Sequence, residues 1–368
     1  MQQLSLFSES EIQVKNKFPS TRYQGSKAKF VDWIWREISD IPFHTALDAF
    51  GGTGSVAYKL KDNGKSVTYN DILPFNSIIG KALIENSSTL LSASDVDFIL
   101  AEHPNIDYPT FIADNFKDIY YTDEENHWLD VVRYNISTIE NEYKRAIAWF
   151  ALFQSCIIKR PYNLFHRKNL YVRQMDVKRS FGNKKTWDTP FEIHFKAFVR
   201  EANNAVFDNG TNCHVLNKDA LSIENEYDLV YIDTPYISEK GVGVDYADFY
   251  HFLNGLVYYD DWINLIDFKS KHHRLKRQYN IWTDKNNITS GFNQLIEQFK
   301  NCILVFSYRS NGIPSINTLI ELLAKHERHS ELRFSRNIKY VLSDTTSNEV
   351  LIISYPKELN SSSSTPGT

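Results

Sequence analysis

The sequence predicts an α/β protein in which helices cover both faces of a mostly parallel β-sheet. Short segments rich in β-forming residues are each followed by a polar or glycine-bearing turn, and helix-like stretches lie between them. The predicted strands are "TALDAF", "KSVTYND", "NCHVLN", "YDLVYID" and "NCILVFSY". Near the end, "IKYVLSDTTSNEVLIISY" contains two β-like runs around a polar turn, which predicts an antiparallel hairpin and a mixed sheet.

Two helices are predicted with some detail. In "SKAKFVDWIWREI", Phe30, Ile34 and Ile38 recur on one face, as in a helix that packs against a sheet. The run "AIAWFALFQSCII" is too short to span a membrane and contains Gln154 and Ser155, so it predicts a buried helix.

Two long gaps between the predicted strands indicate insertions. Well over a hundred residues separate the second strand from the third, too many for a single crossover connection. We therefore predict a discontinuous sheet domain, 18–72 and 207–358, interrupted by an inserted domain, 73–206. A secondary insertion spans 238–299, and the tail 359–368 has the composition of disorder.

The charge distribution is uneven although the net charge is only −4. Between Lys159 and Lys185 there are nine basic residues and one acid, with aromatic residues interleaved. A second cluster, "KSKHHRLKRQ", contains no acid. Charge runs usually mark solvated faces, but basic-aromatic segments in an acidic protein also suit a nucleic-acid groove.

The cysteines and the N-terminus bear on the compartment. Cys156, Cys213 and Cys302 are scattered and odd in number, which favours a reducing, cytoplasmic setting. The chain has no zinc-ligand spacing, and its start lacks the charged leader and apolar core of a secretion signal. We therefore expect no metal site and no membrane partner.

The stretch "ALDAFGGTGSVAYKL" predicts a strand, a glycine-rich turn and a helix. Such a turn either holds a nucleotide-type ligand or simply packs the helix on the strand. Asp71 follows about twenty residues later, where doubly wound folds place an acid that binds ribose hydroxyls. Its alternative role is to cap a helix. Together the two features favour an adenosine-bearing cofactor.

The stretch "YDLVYIDTPYIS" ends a buried strand on Asp233, Thr234, Pro235 and Tyr236. It is either an ordinary turn or a pocket for a planar base. Asp233 offers one acceptor, and Pro235 restrains Thr234 to extended backbone, directing its carbonyl outward as a second. Tyr236 offers a ring for stacking, so the set suits an amino-bearing base taken out of its helix.

These motifs resemble those of a known family. "DAFGGTGSV" and "DTPY" resemble the glycine motif and the Asp-Pro-Pro-Tyr motif of the alpha group of N6-adenine-specific DNA methyltransferases, the Dam-like and DpnII-like enzymes. "RYQGSKAKF" and "LNKDA" resemble the motifs that contact the methionine end and the adenine of S-adenosylmethionine. The resemblance implies a Rossmann-like S-adenosylmethionine-dependent methyltransferase fold, base flipping, and adenine in double-stranded DNA as the target.

The resemblance also implies roles for individual residues. Thr234 stands where the family usually has proline, but the implied role is that of its carbonyl, which threonine keeps. The implied cofactor-binding residues are Tyr23, Ser26, Lys27, Asp48, Phe50, Gly51, Asp71 and Asp219, and the catalytic residues are Asp233, Thr234, Pro235 and Tyr236.

Target recognition would fall to the insertions, in which Arg and Lys suit phosphates and Asn suits base edges. The candidate DNA-binding residues are Lys159, Arg160, Asn163, Arg167, Lys168, Asn169 and Arg173. A cognate restriction endonuclease is a further candidate partner. The alternatives are a methyltransferase acting on RNA or cytosine and a non-catalytic nucleic-acid-binding relative.

Overall fold

The computed structural model describes residues 16–175, 184–224, 226–238, 241, 243–335 and 349–357. The tail 359–368, the first strand of the expected hairpin and part of the first basic segment lie outside the described residues.

A seven-stranded sheet forms the centre of the described structure, in the order β3-β2-β1-β4-β6-β9-β8. The first five strands in that order run parallel, and β9 pairs antiparallel with both β6 and β8. The two-residue strands β5 and β7 pair separately. The strands are β1 (Thr45–Asp48), β2 (Ser66–Asn70), β3 (His214–Leu216), β4 (Leu229–Ile232), β5 (Ile237–Ser238), β6 (Ile303–Arg309), β7 (Gly312–Ile313), β8 (His329–Phe334) and β9 (Glu349–Tyr355).

Helices cover both faces of the sheet. They are α1 (Val31–Ile38), α2 (Ser55–Asp62), α3 (Pro74–Gly80), α4 (Ala93–Leu100), α5 (Phe111–Asn115), α6 (Asp123–Ser137), α7 (Glu142–Ile158), α8 (Leu170–Gln174), α9 (Lys184–Asp188), α10 (Phe191–Ala205), α11 (Tyr246–Phe249), α12 (His251–Val257), α13 (Trp262–Leu265), α14 (Ile288–Gln298) and α15 (Ile316–Lys325). A π-helical turn, Lys81–Glu85, continues α3, and 3₁₀ turns occupy Lys27–Lys29, Pro161–Asn163, Ala220–Ser222, Tyr259–Asp261 and Ile281–Thr283.

The mixed, mostly parallel sheet is confirmed, and all five predicted strands form. Phe30, Ile34 and Ile38 are buried, and α7 is the expected buried helix. The strand β8 was not predicted from the sequence. Its residues, "HSELRF", are mostly polar and only partly buried, because β8 lies at the edge of the sheet.

The insertion predicted at 73–206 does not have a core of its own within the described residues. Val67 and Tyr69 of β2 belong to the same hydrophobic cluster as Phe75 of α3 and Phe150 of α7. The helices α3 and α7 also pack on each other, and α7 packs along α10. The segment therefore extends the main core, and its assignment to DNA recognition remains a prediction.

The insertion predicted at 238–299 includes a helix, α14, that belongs to the sheet domain. Helix α14 connects the parallel strands β4 and β6, and its Phe292 packs with Val230 and Phe306 in the second hydrophobic cluster. It is thus the crossover helix of the sheet. The preceding part of this segment instead packs on the first insertion: the Phe165 N–H donates to the Phe249 carbonyl over 2.9 Å. Two insertions separated in sequence form one helical layer.

Candidate active site

A cavity of about 890 Å³ opens at the carboxyl ends of β1 and β4. After β1 the chain continues to β2 on one side of β1, whereas β4 pairs with the other side of β1. The strand order therefore reverses between β1 and β4. Ligands bind at this place in open α/β sheets. Every predicted cofactor-binding and catalytic residue lines the cavity: Tyr23, Ser26, Lys27, Asp48, Phe50, Gly51, Asp71, Asp219, Asp233, Thr234, Pro235 and Tyr236.

The glycine turn between β1 and α2 requires its glycines. A Cβ atom on Gly51 would lie 2.0 Å from the ring of Tyr69, and Gly54 precedes α2 with a left-handed φ of +78°. The Asp71 carboxylate accepts hydrogen bonds from the Gly52 N–H at 2.8 Å and from the Leu73 N–H at 2.8 Å. Asp71 therefore secures the turn and the approach to α3 as well as lining the cavity.

Asp48 ends β1 with a carboxyl group that is almost completely buried. Its Oδ1 atom has no hydrogen-bond partner among the described residues. Burial raises the pKa of Asp48 to about 8, and the nearby Asp233 carboxylate acts in the same direction. A buried carboxyl group that lines a cavity and has one oxygen without a hydrogen-bond partner is suited to a cationic ligand group.

The N-terminal motif forms one wall of the cavity. The Tyr23 ring stacks with Tyr250 at 4.5 Å and with Tyr246 at 5.3 Å, so the helices α11 and α12 support it. Gly25 has a φ of +83°, and a Cβ atom there would lie 2.2 Å from the Tyr246 hydroxyl oxygen. Ser26 caps the 3₁₀ turn that carries Lys27.

Asp219 lies on the opposite side, after β3, and is exposed to the cavity. Its Oδ1 atom accepts a hydrogen bond from the Leu221 N–H at 3.0 Å, which orients the carboxylate at the start of a 3₁₀ turn. The exposed side chain of Ile72 also lines this part of the cavity. Ile72 was not predicted from the sequence, although an apolar residue directly after Asp71 was the available signal.

The residues after β4 are held in place by side-chain hydrogen bonds. The Tyr236 hydroxyl donates to Asp233 Oδ1 at 2.8 Å, and the Lys27 ammonium lies 3.3 Å from the same oxygen. Burial raises the pKa of Asp233 to about 6, while Lys27 lowers it. The expected ring of Tyr236 is present at the cavity wall, but the role of its hydroxyl was missed.

One further residue, Glu349, was also missed, whereas Thr234 was among the predicted catalytic residues. Glu349 at the start of β9 is buried, and its Oε1 atom accepts hydrogen bonds from Lys27 at 2.5 Å and from the Ser307 hydroxyl at 2.6 Å. Thr234 is buried as well, and its hydroxyl has no hydrogen-bond partner among the described residues. A glutamate at the start of an apolar strand gives no local signal of a site.

Most of the chain matches a known protein family. Residues 23–305 match the family model of the D12 class N6 adenine-specific DNA methyltransferase. The chain belongs to this family. It is 30% identical to the type II methyltransferase M2.HphI of Haemophilus parahaemolyticus over 321 residues, which cover 85% of this chain and 89% of that relative.

Two other relatives share less identity with this D12 methyltransferase. The type II methyltransferase M.NlaIII of Neisseria lactamica is 24% identical, with 83% of this chain and 89% of the relative covered. The type II methyltransferase M.FokI of Planomicrobium okeanokoites is 27% identical, with 83% of this chain but 47% of the relative covered.

The D12 methyltransferase buries four of its seven candidate DNA-binding residues. Arg160 donates to the carbonyls of Tyr120 at 3.0 Å and Leu164 at 3.3 Å, and it also bonds to the Asn169 side chain. Lys159 and Arg173 both pair with Glu125, at 2.8 Å and 2.7 Å. The three basic side chains are thus bound to backbone carbonyls or to Glu125, and Asn169 accepts a hydrogen bond from Arg160. All four residues are buried, which leaves them unavailable to DNA in this arrangement.

The other three candidates face solvent to different degrees. Arg167 and Lys168 are exposed, and Asn163 is half-buried. Tyr162 beside them is 57% exposed and has a left-handed φ of 64°, an uncommon conformation for this residue type. The buried arginine and asparagine thus form the base of an exposed basic-aromatic turn.

The second basic cluster lies at the mouth of the cavity. Lys276, Arg277 and Tyr279 line the cavity, and Tyr279 is 73% exposed. Arg277 also pairs with Asp248 at 2.8 Å, which ties this loop to α11. Charged and aromatic groups therefore surround the entrance of the methyltransferase site.

Within the part of the chain that the structure describes, no helix is long and apolar enough to cross a membrane. The side chains of Cys156, Cys213 and Cys302 are buried and carry free thiols.

Proposed function

We propose that this D12 methyltransferase transfers a methyl group from S-adenosylmethionine to the N6 atom of adenine at a specific sequence in double-stranded DNA. One observation carries the proposal. Four motifs that are far apart in sequence line a single cavity, with the Asp233 carboxylate in the same cavity as the glycine turn, Asp71 and Asp219. A base-binding pocket next to a site suited to an adenosine would bring the target nitrogen and the methyl group together.

The cavity has groups that suit each part of S-adenosylmethionine. Asp219 would accept a hydrogen bond from the cofactor's adenine amino group, Ile72 would contact the adenine face, and Asp71 would bind the ribose. The Asp48 carboxyl group, whose Oδ1 atom has no hydrogen-bond partner among the described residues, suits the cationic end of the cofactor. When bound, S-adenosylmethionine supplies an electrophilic methyl group on its sulfonium.

The residues after β4 would prepare the target nitrogen. The adenine amino nitrogen is a poor nucleophile because its lone pair is delocalised into the ring. Hydrogen bonds from that amino group to Asp233 and to the Thr234 carbonyl would favour a pyramidal, more nucleophilic nitrogen. Tyr236 donates to Asp233 Oδ1 and so orients the carboxylate, while its ring would stack on the flipped base.

The exposed basic residues would bind the DNA around the flipped adenine. Arg167 and Lys168 suit phosphates, and Asn163 suits a base edge. The exposed Tyr162 would fill the space that the flipped base leaves, since aromatic side chains stack on bases. The turn is continuous with α11 at the cavity, through the 2.9 Å bond between Phe165 and Phe249.

The biological setting is proposed from the relatives. M2.HphI and M.NlaIII are named type II methyltransferases, and LlaI of Lactococcus lactis subsp. lactis is named a modification methylase. By analogy, this chain would protect a DNA site, with a cognate restriction endonuclease acting on the same site. Its free cysteines suit a reducing compartment, and we propose the cytoplasm.

The test is tritiated methyl transfer to duplex DNA, followed by mass spectrometry of the nucleosides. We expect N6-methyladenine, and a loss of roughly 10²–10³-fold in the rate for Asp233→Asn, the size of loss when one preorganised hydrogen-bonding group is removed from an active site. The matched control is Asp228→Asn. Asp228 lies at the other end of β4, where it accepts hydrogen bonds from His44 and Thr45 at 2.8 Å.

Label found only in methylcytosine, or transfer to RNA in preference to duplex DNA, would contradict the proposal. So would full activity in Asp233→Asn. Modification-sensitive sequencing of DNA from cells that express the protein would then give the recognition sequence.

A further inference from the structure

A buried acid in strand β9 lies beside the catalytic motif but outside the residues that match the family model, which end at 305. Glu349 is 1% exposed, and β9 pairs with β6, which carries Ser307. The Lys27 ammonium lies 2.5 Å from Glu349 Oε1 and 3.3 Å from Asp233 Oδ1. One lysine therefore lies between two carboxylates.

The position of this lysine decides how available Asp233 is. Because the attraction between opposite charges rises as their distance falls, a small displacement of the ammonium between the two carboxylates changes which of them it neutralises. If Glu349 carried no charge, Asp233 would remain as the carboxylate that pairs with Lys27. The ammonium would then occupy the acceptor that the adenine amino group needs.

We infer that Glu349 is a positioning residue that draws Lys27 towards itself and so keeps the Asp233 carboxylate free to accept the adenine amino group. The inference rests on the proposed role of Asp233. Ser307 assists because its hydroxyl donates a hydrogen bond to the same Glu349 oxygen at 2.6 Å.

The groups that face Asp233 come from several elements and are Lys27, Asp48, Tyr231, Tyr236, Tyr246 and Glu349. Burial has the largest effect and raises the pKa of Asp233 to about 6; Lys27 lowers it and Glu349 raises it. Asp233 is thus ionised above this pH and loses its charge below it. Because Glu349 raises the pKa of Asp233, removing the charge of Glu349 would lower that pKa.

The experiment is the single-turnover rate constant of methyl transfer as a function of pH, measured with preformed enzyme–DNA complex and saturating S-adenosylmethionine. For Glu349→Gln we expect a rate about tenfold lower at high pH, in the range of couplings between contacting residues, and an acid limb displaced to lower pH. The matched control is Glu331→Gln on the neighbouring strand β8, where the carboxylate pairs with Arg333 outside the cavity.

A double-mutant cycle with Lys27→Met separates positioning from a structural role. If Glu349 acts by holding Lys27, Lys27→Met/Glu349→Gln should be no slower than Lys27→Met alone, because no ammonium remains to occupy Asp233. Equal losses from Glu349→Gln in both backgrounds, or an unchanged acid limb in Glu349→Gln, would overturn the inference.

Ser307→Ala keeps the inference testable if Glu349→Gln does not fold, which a thermal unfolding curve shows. It removes only the hydroxyl that donates to Glu349, and we expect a smaller rate loss together with an acid limb displaced in the same direction. An acid limb like that of the wild type in Ser307→Ala would contradict the inference. A wild-type protein that does not methylate adenine would instead contradict the proposed function.

Discussion

The cavity at the ends of β1 and β4 and the basic segment 159–173 were both predicted from residue types, yet the structure uses them differently. All twelve predicted residues line the cavity, whereas four of the seven basic-segment candidates are buried. The cavity motifs combine residues with distinct geometric requirements, such as glycine at a left-handed φ. A count of basic residues contains no information about which side chains face outward.

The difference also shows that arginine can serve as scaffold. The Arg160 guanidinium has several donors in a fixed plane, and here they bind backbone carbonyls around a turn. This interior network supports the exposed Tyr162, Arg167 and Lys168. A basic run can therefore contain both the support of a binding surface and the surface itself.

The largest effect should come from Arg160→Met. The change leaves the carbonyls of Leu164 and Arg167 without the donor that Arg160 supplies, whereas the Tyr120 carbonyl keeps its hydrogen bond from Arg173. Each buried group left without a partner costs about 1–3 kcal/mol. We expect the free energy of unfolding to fall by about 3 kcal/mol, measured by urea denaturation. The control is Lys168→Met, which is exposed and should be neutral. Wild-type stability together with weaker DNA binding in Arg160→Met would make Arg160 a DNA contact after all.

Asp48→Asn should stabilise the protein without cofactor while removing cofactor binding. The pKa of Asp48, raised to about 8, means that the folded protein holds this proton more tightly than the unfolded chain. The stability that the Asp48 proton contributes is therefore lost as the pH rises from about 4 to about 8, and the variant lacks this part of the pH dependence.

The gain in free energy of unfolding for Asp48→Asn should be about 1–3 kcal/mol at pH 9 and smaller at pH 6, measured by thermal unfolding without cofactor. Calorimetry should show weaker S-adenosylmethionine binding. A gain that does not change with pH would contradict the raised pKa, and unchanged cofactor affinity would remove Asp48 from the cofactor site.

Replacing Arg167 and Lys168 with glutamine should weaken DNA binding without affecting stability. Each lost phosphate contact reduces the magnitude of the slope of log K against log salt concentration by about 0.9. The slope of the double variant should therefore be smaller in magnitude by about 1.8. The measurement is fluorescence anisotropy over a salt series, with cofactor affinity as a reference. The matched control replaces Arg36 and Lys325, which are exposed elsewhere on the molecule. An unchanged slope would assign both residues to a solvated face.

The smallest effect is expected for Thr234→Val. This change removes a buried hydroxyl that has no hydrogen-bond partner among the described residues and keeps the size of the side chain. We expect the free energy of unfolding to rise by about 1 kcal/mol with the methyl-transfer rate unchanged, because the carbonyl remains. Thr234→Pro should likewise remain active. A large rate loss in Thr234→Val would show that the hydroxyl takes part in the reaction.

The sequence by itself determined the five parallel strands, the order of the motifs and twelve of the residues that line the cavity. The strands β1 and β4 are short apolar runs, which include Leu47 and Val230. Each is followed by residues that a short motif suffices to recognise: glycines in a turn after β1, and a carboxylate beside a proline after β4. These signals depend on neighbours in the chain, so a linear sequence contains them. The edge strand β8 lacks such a pattern because, among the described residues, one of its sides has no neighbouring strand.

Only the tertiary structure decided which charges are buried and which distant residues meet. Glu349 approaches Lys27 across 322 positions of the chain, and Tyr120 donates to the His272 carbonyl across 152. The structure also shows that the two predicted insertions pack on each other and that α14 packs on the sheet. These contacts depend on how the helices and strands pack. A charged side chain can be buried when an opposite charge lies beside it, and its neighbours in the sequence do not reveal which distant residue supplies that charge.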